Sequence, residues 1–204
     1  MYRVLLLLWM LLFPSLGWAQ SASDDELALL HRPLGSSPFA RLRIWDRSQA
    51  AWRKPTISET PNPQAKVTVL HLWAEWCRPC VEEFPKWREL LPLLQKAHGD
   101  EVAIVFVSES SSLVEFGRFL DENRGRLPQV ALYHDTGEAL SESLRSYLAS
   151  ANLSLPLTLL LDDKRVIRYA VSGSMQHRFR QVLSLVPRLL KLSMATPPPA
   201  QGTP

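Results

Sequence analysis

Residues 73–85 read WAEWCRPCVEEFP and contain Cys77 and Cys80, the only two cysteines of the chain. The pair follows an apolar run, residues 67–73, which is typical of a strand that is buried on both faces. A helical pattern begins at the second half of the pair. Two cysteines spaced C-x-x-C between a strand and a helix indicate a redox-active dithiol.

The position of the pair predicts different roles for its two thiols. The free N–H groups and the positive end of the helix should stabilise the thiolate of Cys77. Arg78 adds a positive charge that should lower the pKa of Cys77 further and make the disulfide more oxidising. Pro79 is tolerated because the first helical turn has no partner for the N–H that proline lacks. We therefore expect Cys77 to be the exposed nucleophile and Cys80 to be the shielded resolving thiol.

Two other uses of a cysteine pair fit less well. A zinc site needs further ligands, and the chain has no second cysteine pair and no histidine at ligand spacing. A structural disulfide of this spacing closes almost no loop and would stabilise the fold little. We expect no metal and no cofactor. Because the chain also lacks a dinucleotide or flavin signature, it should not take electrons from NADPH directly.

Length and charge point to one domain without a nucleic-acid surface. The chain has 204 residues, of which 46% are hydrophobic, enough to build a core without stabilising disulfides or metal sites. Its net charge is only +3, and its arginines and lysines are scattered rather than interleaved with aromatic residues. We expect a monomer that does not bind nucleic acid.

The first 19 residues have the pattern of a secretory signal peptide. Arg3 precedes an apolar run over residues 4–13, and small residues at 17 and 19 suit a signal peptidase. The alternative is an uncleaved membrane anchor, but the run is shorter than the roughly 20 apolar residues of a span. No cysteine stands directly after the predicted cleavage point, so we expect no lipoprotein anchor. Export would place the dithiol in an oxidising compartment such as the periplasm.

The rest of the chain reads as a linker, one α/β domain and a tail. Residues 20–38 form an extension, 39–192 the domain, and 193–204 a disordered tail rich in proline. Predicted strands cover 39–45 (an edge strand), 67–73, 102–107, 130–133, 157–161 and 166–171. Predicted helices run from the cysteine pair to His98, with Gly99 as the stop, and over 113–123, 138–149 and 175–192. We expect Ser110–Ser112 to cap the second helix, and Pro85 or Pro92 to kink or break the first. This order predicts a three-layer α/β domain with a mixed sheet.

Residues 72–80, LWAEWCRPC, resemble the active-site run of the thioredoxin superfamily. The continuation VEEFP is more similar to the exported TlpA/ResA-like branch, whose pattern is W-C-x-P-C-x-x-E-x-P. The similarity extends from about 67 to 192 and includes an inserted helix-strand piece near 112–133, LPLT at 155–158 and GSM at 173–175. The resemblance implies a thioredoxin-like three-layer sandwich, with a mixed central sheet and helices on both faces, and thiol-disulfide oxidoreductase activity.

The resemblance also assigns roles to single residues. Pro156 matches the cis-proline that faces the dithiol and offers backbone groups to a substrate peptide, with Leu155 as an apolar lip. Glu83 matches an acidic residue behind the dithiol that helps proton transfer at the resolving cysteine. The alternative is that Glu83 is an exposed helix carboxylate. With the two cysteines, Glu83 completes the catalytic set. The residues predicted to contact substrate are Trp76, Arg78, Pro79, Leu155 and Pro156.

His71 departs from the pattern, which has Asp or Asn at this position. It is either a histidine that titrates near neutral pH beneath the dithiol or a core histidine satisfied by backbone, and the second is favoured. The other four histidines should lie in turns, helix ends or linkers. Trp73 and Trp76 are expected to be packing and rim residues, and Glu75 to shape the charge of the rim.

These features predict an exported protein disulfide reductase. Its partners would be client proteins with disulfides and a membrane electron donor, as in cytochrome c maturation or copper-site assembly. One alternative is a dithiol oxidase, which Arg78 slightly favours. Another is a copper(I)-binding assembly factor that uses the two thiolates, although its relatives space their cysteines more widely.

Overall fold

A computed structural model describes residues 41–46, 48–49, 51–56, 61–62, 64–110, 112–135, 140, 142–144 and 154–195. For residues 194 and 195 it describes the backbone alone. The predicted signal peptide and linker over 1–38 lie outside these residues. So do most of the predicted helix 138–149 and of the proline-rich tail.

Seven strands form a single mixed sheet. The strands are β1 (Leu42–Asp46), β2 (Ala51–Arg53), β3 (Val67–Trp73), β4 (Val102–Ser108), β5 (Leu132–Asp135), β6 (Leu157–Asp162) and β7 (Ile167–Ser172). Their order across the sheet is β2-β1-β5-β4-β3-β6-β7. β4 runs parallel to β3 and β5, and the remaining pairs are antiparallel. The apolar strand that leads into the cysteine pair is therefore an inner strand with hydrogen-bonded neighbours on both sides, as its composition predicted.

Three long helices accompany the sheet: α1 (Arg78–His98), α2 (Leu113–Glu122) and α3 (Phe179–Ala195). Leu140 and residues 142–144 are helical as well. Ser112 caps α2, since its hydroxyl accepts a hydrogen bond from the Glu115 backbone N–H. Gly99 ends α1 with a φ of 51°, a conformation that glycine adopts without steric cost. Both predicted helix boundaries are confirmed.

The core lies on both faces of the sheet, which gives the three predicted layers. Because side chains alternate along a strand, Val69 and Trp73 of β3 point to one face and Leu70 and Leu72 to the other. The first face packs against α1, α2 and α3 in one apolar cluster. The second face packs in another cluster that includes Leu140 from the fourth helical segment. The predicted sandwich with helices on both faces is confirmed.

The outer strands differ from the prediction. β1 is not an edge strand, because it pairs with both β2 and β5, and β2 forms the edge. β2 is only three residues long, too short to show a period of two in the sequence. β5 begins two residues later than predicted and ends in His134 and Asp135, which are both buried. Buried polar residues hide a strand from a search for apolar runs.

The predicted break in α1 is absent. The helix is continuous from Arg78 to His98 and includes both Pro85 and Pro92. Each proline lacks the N–H that would bond the carbonyl four residues earlier. Both prolines lie on the exposed side of the helix, where solvent can hydrogen-bond the freed carbonyls.

Candidate active site

The two cysteines form a disulfide at the start of α1, with their Cα atoms 5.3 Å apart. Cys77 is the residue that precedes the helix, and its carbonyl accepts hydrogen bonds from the N–H groups of Cys80 and Val81, at 3.0 and 3.2 Å. Pro79 lies in the first turn, where no intrahelical partner is lost. The sulfurs therefore lie at the positive end of a helix of 21 residues.

The exposure of the two cysteines differs in degree only. Cys80 is 0% exposed and Cys77 5% exposed, so the prediction of an exposed Cys77 is wrong for this oxidised form. The reason is that the sulfur of Cys77 is bonded to a fully buried sulfur and both residues belong to the main apolar cluster. The predicted order, with Cys80 the more deeply shielded, holds.

The charge of Arg78 is shared with a neighbour. Its side chain is 89% exposed and pairs with Glu82 one turn further along α1, at 2.8 Å. A carboxylate at that distance offsets the positive charge that Arg78 presents to Cys77. Less positive charge is therefore available to stabilise a Cys77 thiolate than the sequence predicted. Trp76, which is 64% exposed, is the most prominent apolar surface beside the dithiol.

The Leu155–Pro156 bond is cis, as the resemblance implies. β6 starts directly after it and pairs with β3, the last pair being Leu72 with Leu157. Pro156 therefore lies at the end of the sheet where the C-terminus of β3 leads into the dithiol. Its carbonyl accepts a hydrogen bond from the N–H of Gly173 at 2.8 Å, and the hydroxyls of Ser154 and Ser172 lie 2.8 Å apart. The end of β7 and the glycine that follows it thus hold the proline loop in place.

Glu83 is buried, with 1% of its surface exposed. Its Oε1 accepts hydrogen bonds from the Ser174 hydroxyl, at 2.8 Å, and from the Met175 backbone N–H. Burial raises the pKa of Glu83 above its ordinary value, and these two donors oppose that rise. Its neighbour Glu82 is exposed. Glu83 is thus a carboxyl whose environment favours a bound proton, three residues from Cys80 on the same helix.

His71 is a neutral core histidine. Its ring is fully buried between Trp87 and Phe106, with centroid distances of 5.0 and 4.7 Å. Burial lowers the pKa of His71 to about 3, so the alternative of titration near neutral pH is wrong. Its Nδ1 forms a hydrogen bond of 2.8 Å with the Thr158 hydroxyl, which takes the place of the backbone partner that we expected.

A chain of hydrogen bonds that begins at Glu75, two residues before Cys77, was not predicted from the sequence. Glu75 Oε1 accepts from the Ser110 hydroxyl at 2.8 Å, and the Ser110 carbonyl accepts from Nε2 of His134 at 2.7 Å. The sequence suggested only that Glu75 belongs to the rim and that His134 lies outside regular structure. His134 is instead buried in β5. The contacts join residues 35 and 24 positions apart, which no local pattern reports.

Neither a membrane-spanning helix nor a cluster of metal ligands is present in the described part of the chain. Within those residues, no helix is long and apolar enough to cross a membrane. The same residues contain no group of three or more histidine, cysteine, aspartate or glutamate side chains arranged to hold a metal ion.

A disulfide at a helix start, an inner strand before it and a cis-proline at the same sheet edge define a thioredoxin-like protein. Residues 47–170 match the AhpC/TSA family, and because this is more than half of the chain, the chain belongs to that family. The predicted membership of the thioredoxin-like superfamily is confirmed.

Two curated relatives resemble the chain over its central part. It is 28% identical over 119 residues to the thioredoxin-like protein YneN of Bacillus subtilis, covering 58% of this chain and 63% of that protein. It is 30% identical over 112 residues to the thiol-disulfide oxidoreductase ResA of Geobacillus thermodenitrificans, covering 55% and 58%. The chain thus spans less than two thirds of the length of these relatives.

Solved structures share the fold. The N-terminal domain of PilB from Neisseria gonorrhoeae aligns with a TM-score of 0.53 and 18% identity, over 73% of this chain and 88% of that one. Identity this low supports the fold and not the activity.

Proposed function

We propose that this chain is an exported thiol-disulfide oxidoreductase that reduces disulfides of client proteins. The observation that carries the proposal is the Cys77–Cys80 disulfide at the N-terminus of α1, where a thiolate is stabilised. The similarity to ResA, which is named a thiol-disulfide oxidoreductase, supports the same activity.

The reaction proceeds in two exchange steps. The Cys77 thiolate attacks a client disulfide, so that a Cys77–client bond forms, the client disulfide breaks and the leaving client sulfur takes up a proton. Cys80 then loses its proton, and its sulfur attacks Cys77. The Cys77–Cys80 disulfide forms and the second client sulfur leaves as a thiol. Two electrons pass from the enzyme dithiol to the client.

Glu83 is proposed to accept the proton of Cys80. Its carboxyl is buried, lies one helical turn from Cys80 and has a raised pKa, which suits a group that must both take and release a proton. Trp76, Arg78 and Pro79 would contact the client on the helix side. Leu155 and Pro156 would contact it on the opposite side, where their backbone groups can pair with an extended peptide.

The cellular setting is also a proposal. The signal-peptide pattern of residues 1–19 supports export to the periplasm or a similar compartment, with cleavage or retention of the segment as an anchor. In an oxidising compartment the dithiol needs a membrane electron donor to return it to the reduced form. Clients of cytochrome c maturation or of copper-site assembly fit such a protein.

The activity is tested with fully reduced protein and insulin as a model client. We expect one insulin disulfide to be reduced for each Cys77–Cys80 disulfide formed. If the oxidised protein instead formed disulfides in a reduced client faster than the reduced protein removed them from insulin, the protein would be an oxidase. Stoichiometric copper(I) binding that survives a tight chelator, without insulin reduction, would identify the assembly factor.

Replacing Glu83 with glutamine should change how stability depends on pH. The pKa of Glu83 is raised above 4.5 in the folded protein, so folding favours the protonated form. Stability from this group is present below the unfolded pKa and is lost as pH rises through the folded pKa. Glutamine imitates the protonated carboxyl, so urea unfolding should show Glu83→Gln gaining stability over the wild type as pH rises from 4 to 8.

The neighbouring substitution Glu82→Gln is the control. Glu82 is exposed and pairs with the exposed Arg78, and exposed ion pairs contribute little to stability, so its replacement should leave the pH profile of unfolding nearly unchanged. A wild-type profile for Glu83→Gln would show that burial does not raise the pKa of this carboxyl.

A further inference from the structure

Three buried polar atoms without a hydrogen-bond partner occur on neighbouring side chains behind the dithiol: Glu83 Oε2, Trp87 Nε1 and His71 Nε2. Glu83 is 1% exposed, and Trp87 and His71 are 0% exposed. Buried polar atoms without partners are rare in folded proteins and call for a physical explanation. Two of these atoms bear on the proposed proton transfer: Oε2 of Glu83, the proposed acceptor, and Nε1 of Trp87.

Glu83 and Trp87 are one turn apart and both face the core from α1. The indole N–H lies close enough to the Glu83 carboxyl to favour its ionised form. It does not reach ordinary hydrogen-bond geometry, which is why both atoms are unpaired. The donor and the acceptor therefore lie near each other without forming a hydrogen bond.

The indole is held firmly in this orientation. The rings of Phe106 and Phe179 meet it edge-on, each at a centroid distance of 5.1 Å. The His71 ring packs at 5.0 Å and is itself fixed by its hydrogen bond to Thr158. With three rings around it in a close-packed core, Trp87 cannot turn its N–H elsewhere without displacing its neighbours.

We propose that Trp87 is a positioning residue whose indole N–H becomes the third donor to Glu83 when that carboxyl is ionised. The inference rests on the proposed function, in which Glu83 takes and releases the proton of Cys80. The Ser174 hydroxyl and the Met175 N–H both bond Oε1, so Oε2 of the carboxylate would otherwise be a buried charged atom without a donor. An indole nitrogen can only donate. Trp87 therefore stabilises the ionised carboxyl selectively and makes Glu83 a better acid than burial alone allows.

Other charged groups around Glu83 are paired or peripheral. On α1, Arg78 pairs with Glu82 and Lys86 with Glu89. His177 is exposed on the turn before α3, and His71 is neutral on β3. Of the titratable and charged groups on these elements, Glu82, Lys86, Glu89 and His177 line the same cleft as Glu83. Arg78 projects into solvent and His71 lies in the core. A change in the titration of Glu83 that follows the loss of one indole N–H can therefore be assigned to that N–H.

The test is the titration of Glu83 in the oxidised full chain, followed by the carbon NMR signal of its carboxyl group. Trp87→Phe keeps an aromatic ring and removes the N–H. Because a hydrogen bond to a charged group favours ionisation, we expect the midpoint of Glu83 to rise by about one pH unit, a tenfold weaker acid. Trp73→Phe is the matched control, since it removes another buried and unpaired indole N–H from the same cluster and should leave the midpoint unchanged.

A second measurement on the wild type guards against a variant that fails to fold. The indole N–H resonance of Trp87 should move with the same midpoint as the Glu83 carboxyl, while that of Trp73 should not. An unmoved Trp87 resonance, or an unchanged Glu83 midpoint in folded Trp87→Phe, would overturn the proposal. Both readouts use the oxidised protein without a client. The role of Trp87 can therefore be disproved while disulfide reduction is retained, and disulfide reduction can be disproved while the role of Trp87 holds.

Discussion

Replacing Cys77 with serine should lower the rate of insulin disulfide reduction by roughly a thousandfold or more. A hydroxyl is not ionised near neutral pH and cannot form the mixed disulfide, so the first exchange step has no nucleophile. The measurement is the initial rate of insulin reduction at equal protein concentration.

Cys80→Ser is the matched variant for this experiment. It also lacks the disulfide, but it keeps the nucleophile, so it should react once and then stop as a mixed disulfide. A variant that lost activity only because the disulfide is missing would behave like Cys77→Ser. Wild-type turnover by either variant would show that the dithiol is not the reacting group.

Replacing Phe106 with alanine should lower the free energy of unfolding by about 3–5 kcal/mol. Phe106 is fully buried in β4, next to the strand that carries the dithiol, and its ring contacts both His71 and Trp87. The substitution leaves a cavity in a core that the surrounding sheet and helix cannot close completely. Since small domains are stable by only about 5–15 kcal/mol, the loss is a large fraction of the total. Urea unfolding of the oxidised protein measures it.

Val114→Ala on α2 is the control, because Val114 is 72% exposed and its truncation should change stability by no more than about 0.5 kcal/mol. If Phe106→Ala were as stable as Val114→Ala, α1 would not pack on this face of the sheet as described. The ring contacts among Phe106, His71 and Trp87 depend on the same packing and would then be absent too.

The sequence predicts the centre of this fold well because the centre is built from local signals. β3 is an uninterrupted apolar run, and it pairs on both sides as such a run should. The cysteine motif marks the start of α1 and Gly99 marks its end. These elements contain the candidate nucleophile, the resolving thiol and Glu83, so most of the proposed site can be named from one segment of sequence.

The remainder depends on contacts between distant residues. Ser174 is 91 positions from the carboxyl that it bonds, and Thr158 is 87 positions from His71. A histidine in an apolar strand is compatible with either a charged or a neutral ring, and only the surrounding Trp87 and Phe106 decide for the neutral one. Likewise, the spacing of the cysteines does not report how deeply the oxidised Cys77 is buried.

The central claim is that Cys77 attacks client disulfides and Cys80 resolves the product. It is tested most directly by mixing each single variant with an excess of a client disulfide and mapping the adducts by peptide mass spectrometry. Cys80→Ser should accumulate a mixed disulfide at Cys77, while Cys77→Ser, whose remaining thiol is the buried Cys80, should form little adduct in the same time. Equal or faster adduct formation by Cys77→Ser would contradict the assignment.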